Sequence, residues 1–173
     1  MENPIFISVE GTTQGLMTEG ACSPESVGGT INIDDHEKQA IVKAYSHNVT
    51  IAKNKTTGQA SGQRVHNPMI ITKMIDKSSP LFFNALTTGE TLKKVEVKWY
   101  RNSNSGTHEH FYTVELEDAL IVDINTAIES LASSVDNQPT PLEIVSFSYR
   151  KISVRHETAS TSGEDDWRKG VGA

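Results

Sequence analysis

The chain has 173 residues, which suits one domain with a single core, and 36% of them are hydrophobic, an ordinary share for a globular protein. Its formal net charge is −6, and its 16 Lys and Arg residues are scattered among 22 Asp and Glu residues, which argues against nucleic-acid binding. The single cysteine, Cys22, excludes an internal disulfide framework. No stretch is long and apolar enough to span a bilayer, so we expect no membrane insertion.

The N-terminal sequence predicts a strand. Residues 4–10, PIFISVE, place Ile5, Ile7 and Val9 on one face, which is typical of a half-buried strand. The segment MENPIFISVEG also lacks the basic start and long apolar stretch of a secretory signal. We therefore expect no cleavable signal peptide.

Residues 11–51 predict a long connection followed by a bent strand. Residues 11–30 are rich in Gly, Ser and Thr, and a short strand is expected near Ile31 and Ile33. Residues 40–51, AIVKAYSHNVTI, favour a strand because β-branched and aromatic residues dominate. Their imperfect alternation predicts a bend or a bulge.

Residues 52–64, AKNKTTGQASGQR, contain no large apolar side chain. They therefore predict an exposed loop or a long two-stranded arm. A connection of this length is either functional or a flexible surface loop, and the residues leave both readings open. Residues 65–75, VHNPMIITKMI, predict the next strand, with Pro68 at its edge or entry.

Residues 79–88 predict the main helix, flanking a sheet. Ser79 is the expected N-cap, Pro80 suits the first turn, and Gly89 suits the left-handed end. The expected core-facing stripe consists of Leu81, Phe82, Ala85 and Leu86. A helix this short needs a sheet to pack against.

The clearest strand signal is the hairpin that follows. In LKKVEVKWYR, residues 92–101, Val95 and Val97 alternate with charged residues, NSNSG makes the turn, and Tyr112, Val114 and Leu116 continue one face. The opposite faces offer Lys against Glu, which favours antiparallel pairing.

The last third of the chain predicts more strand and a polar tail. A bend is expected at Asp118, a short helix in 126–135, and a strand over 144–154 with a change of register near Arg150. The tail, residues 157–173, is polar and is expected to be partly disordered. Residues 1–156 are then one domain, an antiparallel β-barrel or sandwich with one flanking helix.

Motifs for catalysis are missing from the sequence. There is no nucleophile elbow, no zinc-protease motif and no phosphate loop. His108 and His110 would face one side of a strand, but no further zinc ligand is designated, so exposed histidines are the simpler reading. The carboxylates of residues 163–166, GEDD, read as solvated charge. An enzyme is the weaker hypothesis, and a small metal-dependent enzyme using this histidine pair remains the alternative of that class.

Five blocks in order carry a family resemblance: HNPMIITKMIDKSSPLFFNALTTGE, VKWYR, FYTVELEDALIV, EIVSFSYRKI and HETASTSGEDDW. From about Pro4 to Trp167 the chain resembles the Hcp family, the haemolysin-coregulated proteins that build the inner tube of bacterial type VI secretion systems. The family's extended loop looks like residues 52–64. The resemblance implies a barrel of two sheets with one flanking helix, assembled as a ring.

The resemblance also implies a function and a set of partners. Hexameric rings would stack into a tube inside a contractile sheath, on a baseplate and beneath a VgrG spike, with secreted effectors in the lumen. It implies no catalytic residues, no cofactor and no metal, and a cytoplasmic subunit that the system itself secretes. A tail-tube protein of a phage or another contractile injection system is the alternative.

Two surfaces are singled out for assembly. The polar face with Lys94, Glu96 and Lys98 either lines the lumen or meets solvent. The extended loop is hypothesised to join one ring to the next through wet, hydrogen-bonded contacts. Its residues are Lys53, Asn54, Lys55, Thr56, Thr57, Gln59, Ser61, Gln63 and Arg64.

Overall fold

The computed structural model describes residues 3–28, 36–128 and 141–167. Within these residues the helices are α1 (Pro24–Val27) and α2 (Ser79–Thr88). The strands are β1 (Ile5–Gly11), β2 (Gly15–Leu16), β3 (Ala40–Ser46), β4 (Val49–Lys53), β5 (Ala60–His66), β6 (Met69–Met74), β7 (Leu92–Asn102), β8 (His108–Ala127), β9 (Leu142–Ser148), β10 (Lys151–His156) and β11 (Thr161–Asp166).

The strands form two antiparallel sheets. The larger sheet runs β11-β10-β8-β7-β1-β3-β6-β9, with β2 on β1, and β9 also pairs with β8. This last pairing closes six strands into a barrel, and β10 and β11 extend the sheet beyond it. The second sheet is the pair β4–β5. The predicted fold class, an antiparallel barrel of two sheets with a flanking helix, is confirmed.

Strand β8 closes the barrel because it changes direction at Asp118. Its first part pairs with β7 and β10, whereas residues 120–127 pair with β9. Asp118 has a φ of 48°, a left-handed conformation that ends one alignment and begins the next. The bend expected at this residue is confirmed.

The core lies inside the barrel and follows the alternation of the strands. The fully covered side chains include Ile7 and Val9 of β1, Val95 and Val97 of β7, and Leu116 of β8. Their neighbours along each strand face the other side, because successive strand residues point to opposite faces. The pattern read from the 92–101 hairpin is therefore confirmed.

Helix α2 covers one part of this core. Phe82 and Ala85 are buried, and the Phe82 ring packs edge-on against Phe147 of β9, with 6.3 Å between ring centroids. Leu81 and Leu86 are partly buried against the same cluster. Gly89 ends the helix with a φ of 69°, as expected.

The expected N-cap is wrong by one residue. The cap position is Ser78, and Ser79 is the first helical residue. The Ser79 hydroxyl instead accepts the Asp76 N–H at 3.1 Å and donates to Glu143 at 2.8 Å. The hydroxyl is committed to this buried polar cluster, so it does not cap the helix.

Several other expectations change. The stretch 40–51 is divided between β3 and β4, and 65–75 is divided between β5 and β6. The irregularity expected within 40–51 is confirmed, since the register shifts between Val42 and Ala44. The connection after β1 contains β2 and α1, which were not predicted. Thr161–Asp166 forms β11 along β10, so disorder is wrong for this part of the tail. The strand near Ile31 and Ile33 lies outside the described residues.

The short helix expected in residues 126–135 does not begin where it was predicted. Thr126 and Ala127 belong to the end of β8, where they pair with Glu143 and Leu142. The stretch from residue 129 onward lies outside the described residues. Near Arg150, by contrast, the chain leaves β9 and enters β10, as the change of register indicated.

Candidate functional site

The predicted extended loop is a two-stranded arm. Strands β4 and β5 pair only with each other in the described part of the chain, and residues 54–59 form the tip. Asn54 closes the tip: its N–H donates to the Gln59 carbonyl at 2.7 Å, and its side-chain oxygen accepts the N–H of Thr56 at 2.8 Å. Gly58 supplies the left-handed position, with a φ of 73°. The two-stranded alternative is therefore the one adopted.

The arm is exposed along nearly its whole length. Of the nine residues singled out for ring stacking, eight are exposed: Lys53, Asn54, Lys55, Thr56, Thr57, Gln59, Ser61 and Gln63. The ninth, Arg64, is half-buried at the base. A two-stranded ribbon alone is marginally stable in water. Contacts at its base must therefore position the arm.

Apolar residues of the arm were missed by the sequence reading. Val49, Ile51 and Val65 are 47%, 51% and 52% exposed. Val49 lies opposite His66 and Ile51 lies opposite Arg64, so these four side chains share one face. The residues flank the polar stretch 52–64, and their β-branched character was read only as a strand signal. Val49 and Ile51 give one face of the arm an apolar contact surface, whereas Val65, opposite Thr50, lies on the other face.

A chain of hydrogen bonds fixes the base of the arm. Nε2 of His66 lies 2.7 Å from Oδ2 of Asp165 on β11, and Nδ1 of the same ring lies 2.6 Å from the Tyr149 hydroxyl. Nε2 of His47, between β3 and β4, lies 2.7 Å from that hydroxyl. Both strands of the arm are thereby tied to the segment after β9 and to β11.

Arg64 adds a two-pronged ion pair to the same carboxylate. Its Nε and Nη2 donate to the two oxygens of Asp165 at 2.5 and 2.9 Å, and Nη2 also donates to the Asp166 carbonyl at 3.2 Å. Such forked pairs fix orientation as well as charge. We call the linked side chains of Arg64, His47, His66, Tyr149 and Asp165 the latch.

The environment shifts pKa values within the latch. Hydrogen bonding from Arg64, reinforced by His66, lowers the pKa of Asp165 and keeps it a carboxylate. Burial, with a smaller effect of His66, lowers the pKa of His47. Burial raises the pKa of Tyr149, so its hydroxyl keeps its proton. The latch thus combines an anion, a neutral hydroxyl and an imidazole that resists protonation.

Trp167 covers the latch. Its indole N–H donates to the Tyr149 carbonyl, and its ring stacks on His66 with 6.0 Å between ring centroids. Trp167 remains 39% exposed. The indole therefore lies between the latch and solvent.

The latch was not predicted from the sequence. His47 and His66 were read as separate hydrogen-bonding strand residues, and Asp165 belongs to the acidic stretch read as solvated charge. That reading of Asp165 is wrong, because it pairs with Arg64, 101 positions away in the sequence. No local pattern marks such a pair.

A second polar surface lies on the sheet face turned away from the core. Glu96 accepts from Lys94 and from Lys98, each at 3.0 Å, and Arg155 of β10 pairs with Glu115 at 3.1 Å. Although burial acts in the opposite direction, hydrogen bonds from the two lysines lower the pKa of Glu96. This face therefore balances its own charges.

The expected Lys–Glu pairing across the hairpin takes a different form. The register places Glu96 opposite Glu115, two like charges, and Lys94 opposite Glu117. The lysine ion pairs run along β7 instead, and Arg155 neutralises Glu115 from the far side.

The two candidate metal ligands lie near the turn of the β7–β8 hairpin. His108 is exposed, whereas His110 stacks on Tyr100 at 5.1 Å and lies 2.7 Å from the Thr113 hydroxyl. In the described part of the chain, no three His, Cys, Asp or Glu side chains form a group that could hold a metal ion.

The thiol of Cys22 is buried and donates to the Gln39 carbonyl at 2.8 Å, and burial raises the pKa of this thiol to about 11.

No helix within the described ranges has the length and apolar character to cross a membrane.

Solved structures share this architecture. A structure described as "Crystal structure of Hcp protein" matches with a TM-score of 0.91 and 45% identity, over 98% of this chain and 100% of that one. The "Secreted protein Hcp3 from Pseudomonas aeruginosa" matches with a TM-score of 0.81 and 46% identity, over 97% of this chain and 100% of that one. The fold is thus that of a class of small secreted β-barrel proteins.

Sequence comparison agrees with the structural comparison. The family model described as "Type VI secretion system effector, Hcp" matches residues 6–156. The "Major exported protein" of Pseudomonas aeruginosa is 49% identical over 171 residues, covering 99% of both chains. This chain belongs to the Hcp family of type VI secretion proteins, a family of structural secreted proteins, and the resemblance read from its sequence blocks is confirmed.

Proposed function

We propose that this protein is the inner-tube subunit of a type VI secretion system. Six copies form a ring, rings stack through the arm, and the resulting tube is fired through a contractile sheath with effectors in its lumen. The subunit is cytoplasmic before firing and is then secreted with the tube. VgrG spike and baseplate proteins are its partners, and no catalytic step is involved.

The observation that carries this proposal is the arm itself. Its exposed residues include both hydrogen-bonding side chains and the apolar Val49, Ile51 and Val65. Val49 and Ile51 share one face of the exposed ribbon, where adjacent aliphatic side chains favour burial against another surface. The anchored base supports the same conclusion, because a positioned arm loses less conformational freedom when it binds.

The remaining surface suits a ring. Barrel closure leaves β11 at the end of the larger sheet, and a head-to-tail contact between neighbours can cover such an edge while a fixed rotation closes the circle. The charge-balanced face around Glu96 suits a lumen that lets cargo pass without binding it strongly. Sixfold repetition then strengthens weak contacts between rings by effective concentration.

An arm-shortened variant tests the proposal. Residues 52–63 are replaced by an Asn-Gly turn, which keeps Arg64 and His66 in the latch. Native mass spectrometry should still give six chains, because no buried apolar group is removed. Electron microscopy should show loss of tubes, and secretion should fail. Normal tubes and normal export of this variant would overturn the assignment of the arm.

A point variant sharpens the test. Ile51→Thr removes an aliphatic surface from the arm but keeps β-branching, and Val122→Thr makes the matched change on the barrel, where Val122 is 46% exposed. We expect Ile51→Thr to reduce tube length and Val122→Thr to leave it unchanged. Equal effects of the two changes would contradict an arm-specific contact.

A further inference from the structure

The hydrogen-bond directions in the latch follow from its fixed acceptor. The Asp165 carboxylate cannot donate, so Nε2 of His66 carries the proton between them. Nδ1 of neutral His66 is then an acceptor, and the Tyr149 hydroxyl donates to it. His47 must donate its Nε2 proton to the Tyr149 oxygen. With both imidazoles neutral, every contact has one donor and one acceptor.

The latch accommodates one added proton. If His66 takes the proton, Nδ1 donates to the Tyr149 oxygen, and the hydroxyl turns to donate to neutral His47. If His47 takes the added proton, the proton binds Nδ1 of His47, and the directions of the latch hydrogen bonds are unchanged. In both cases each hydrogen bond keeps an acceptor.

A second added proton does not fit. Both imidazolium rings then direct N–H groups at the same Tyr149 oxygen, and the hydroxyl proton loses its acceptor within the latch. An unmade hydrogen bond in a half-buried site is costly, and the two cations repel each other across one oxygen atom.

We propose that the latch is a pH-dependent anchor, which holds the arm against β11 near neutral pH and releases it when His47 and His66 are both protonated. Opening is a property of the single chain. Its consequence, loss of ring stacking in acid, rests on the proposed function of the arm.

The charged surroundings favour release. Besides the latch groups themselves, the titratable and charged groups next to the latch include Tyr45, which acts on Tyr149, and Asp166, which lies beside Arg64 and Arg150. Asp165 pairs with Arg64 as well as with His66, and Nε of Arg150 lies 3.2 Å from Oδ2 of Asp166, so each carboxylate is already shared with an arginine. The Arg64–Asp165 pair is partly exposed.

The pH window follows from His47. Burial lowers the pKa of His47, so its contribution to the closed latch is present above the ordinary value of about 6.5 and is lost as pH falls through its own pKa. The pKa of Asp165 is lowered by Arg64, so this carboxylate stays ionised over the same range. Release in mild acid therefore reports His47 rather than Asp165.

Trp167 fluorescence measures release. In a Trp99→Phe background, Trp167 is the remaining tryptophan of the two in the chain. Quenching alone reports a protonated His66 against the indole, whereas a red shift reports that Trp167 has left the latch. We expect a red shift between about pH 6.5 and pH 5, with an unchanged far-UV circular dichroism spectrum.

Variants separate the proposal from general acid sensitivity. In His47→Gln the amide can donate to or accept from Tyr149 without charge, so the red shift should be lost. Asp165→Asn removes the anion, so the spectrum should be red-shifted already near pH 7.5. His108→Gln alters an exposed histidine far from the latch and should titrate like the background. No red shift in the background, a red shift that coincides with unfolding, or an unchanged midpoint in His47→Gln would overturn the proposal.

Electron microscopy in the same buffers tests the consequence for assembly. Tubes that disperse in acid together with the red shift support coupling of the latch to stacking. A red shift with intact tubes means that the latch opens but the arm does not hold rings together, which contradicts the proposed function. If the red shift is absent but the arm-shortened variant fails to stack, the proposed function stands. The proposal that the latch opens in acid is then overturned.

Discussion

The ammonium group of Lys73 lies 2.5 Å from Oε1 of Glu143, and both side chains are buried. The same ammonium group lies 3.1 Å from Oδ1 of Asp76 and 3.1 Å from the Ser79 hydroxyl. These contacts join β6, the start of α2 and β9. Buried ions need such complete pairing, since their desolvation is otherwise uncompensated.

Lys73→Met should destabilise the protein by roughly 3–5 kcal/mol, because it leaves two buried carboxylates without their cation. Glu143→Gln should lower the free energy of unfolding by less, since Lys73 keeps its ion pair with Asp76. Lys94→Met is the matched control on the solvent side, where loss of an exposed pair costs at most about 1 kcal/mol. Urea unfolding measures all three, and equal losses for Lys73→Met and Lys94→Met would contradict the buried-pair assignment.

Phe82→Ala should cost roughly 3–5 kcal/mol, because the ring is fully buried and leaves a cavity beside Phe147. The adjacent Phe83 is 60% exposed, so Phe83→Ala should change stability little. Leu86→Ala, at a partly buried site, should fall between them. Thermal melts that rank Phe83→Ala as the more damaging change would show that the helix presents another face to the core.

Gly11→Ala should destabilise the protein by roughly 1–3 kcal/mol, since an added Cβ would lie 1.9 Å from Oε2 of the buried Glu90. Gly62→Ala on the arm meets only ordinary contact, 3.6 Å from the Ala52 Cβ, and should be nearly neutral. A Gly11→Ala, Glu90→Ala double variant should show strong coupling in a mutant cycle. If the two changes have additive effects on the free energy of unfolding, Glu90 is not the group that the added Cβ displaces.

Asp118→Val should cost roughly 1–3 kcal/mol, because a β-branched residue is strained at a φ of 48°. Asp118→Gly relieves that strain and loses an exposed ion pair with Arg150, so stability should change little. Chemical denaturation of the two variants measures the difference. A Val variant as stable as the Gly variant would mean that the bend tolerates other backbone conformations.

Replacing His108 and His110 by Ala should leave the mass of the assembly unchanged. His110 contacts Thr113 and Tyr100, so a modest loss of stability is expected without loss of assembly. Elemental analysis of the unaltered protein should find no stoichiometric zinc. If the unaltered protein binds a metal, and the double variant loses both the metal and the ring, the metal-dependent alternative is supported.

Local sequence patterns predicted the elements whose determinants lie close together in the chain. Pro80 and Gly89 bound α2, and Val95 and Val97 set the buried face of β7, because capping and alternation act over a few residues. The polar composition of 52–64 likewise predicted exposure. These features need no knowledge of distant partners.

The tertiary structure decided which distant residues meet. Closure of the barrel depends on β8 turning at Asp118 to reach β9, and the arm is fixed because Arg64 and His66 find Asp165 about a hundred positions away. The sequence displays the types of these residues but not their pairing, since ion pairs and hydrogen bonds depend on distance in space. The acidic stretch 163–166 was therefore interpreted as solvated charge, although folding places the Asp165 carboxylate between Arg64 and His66.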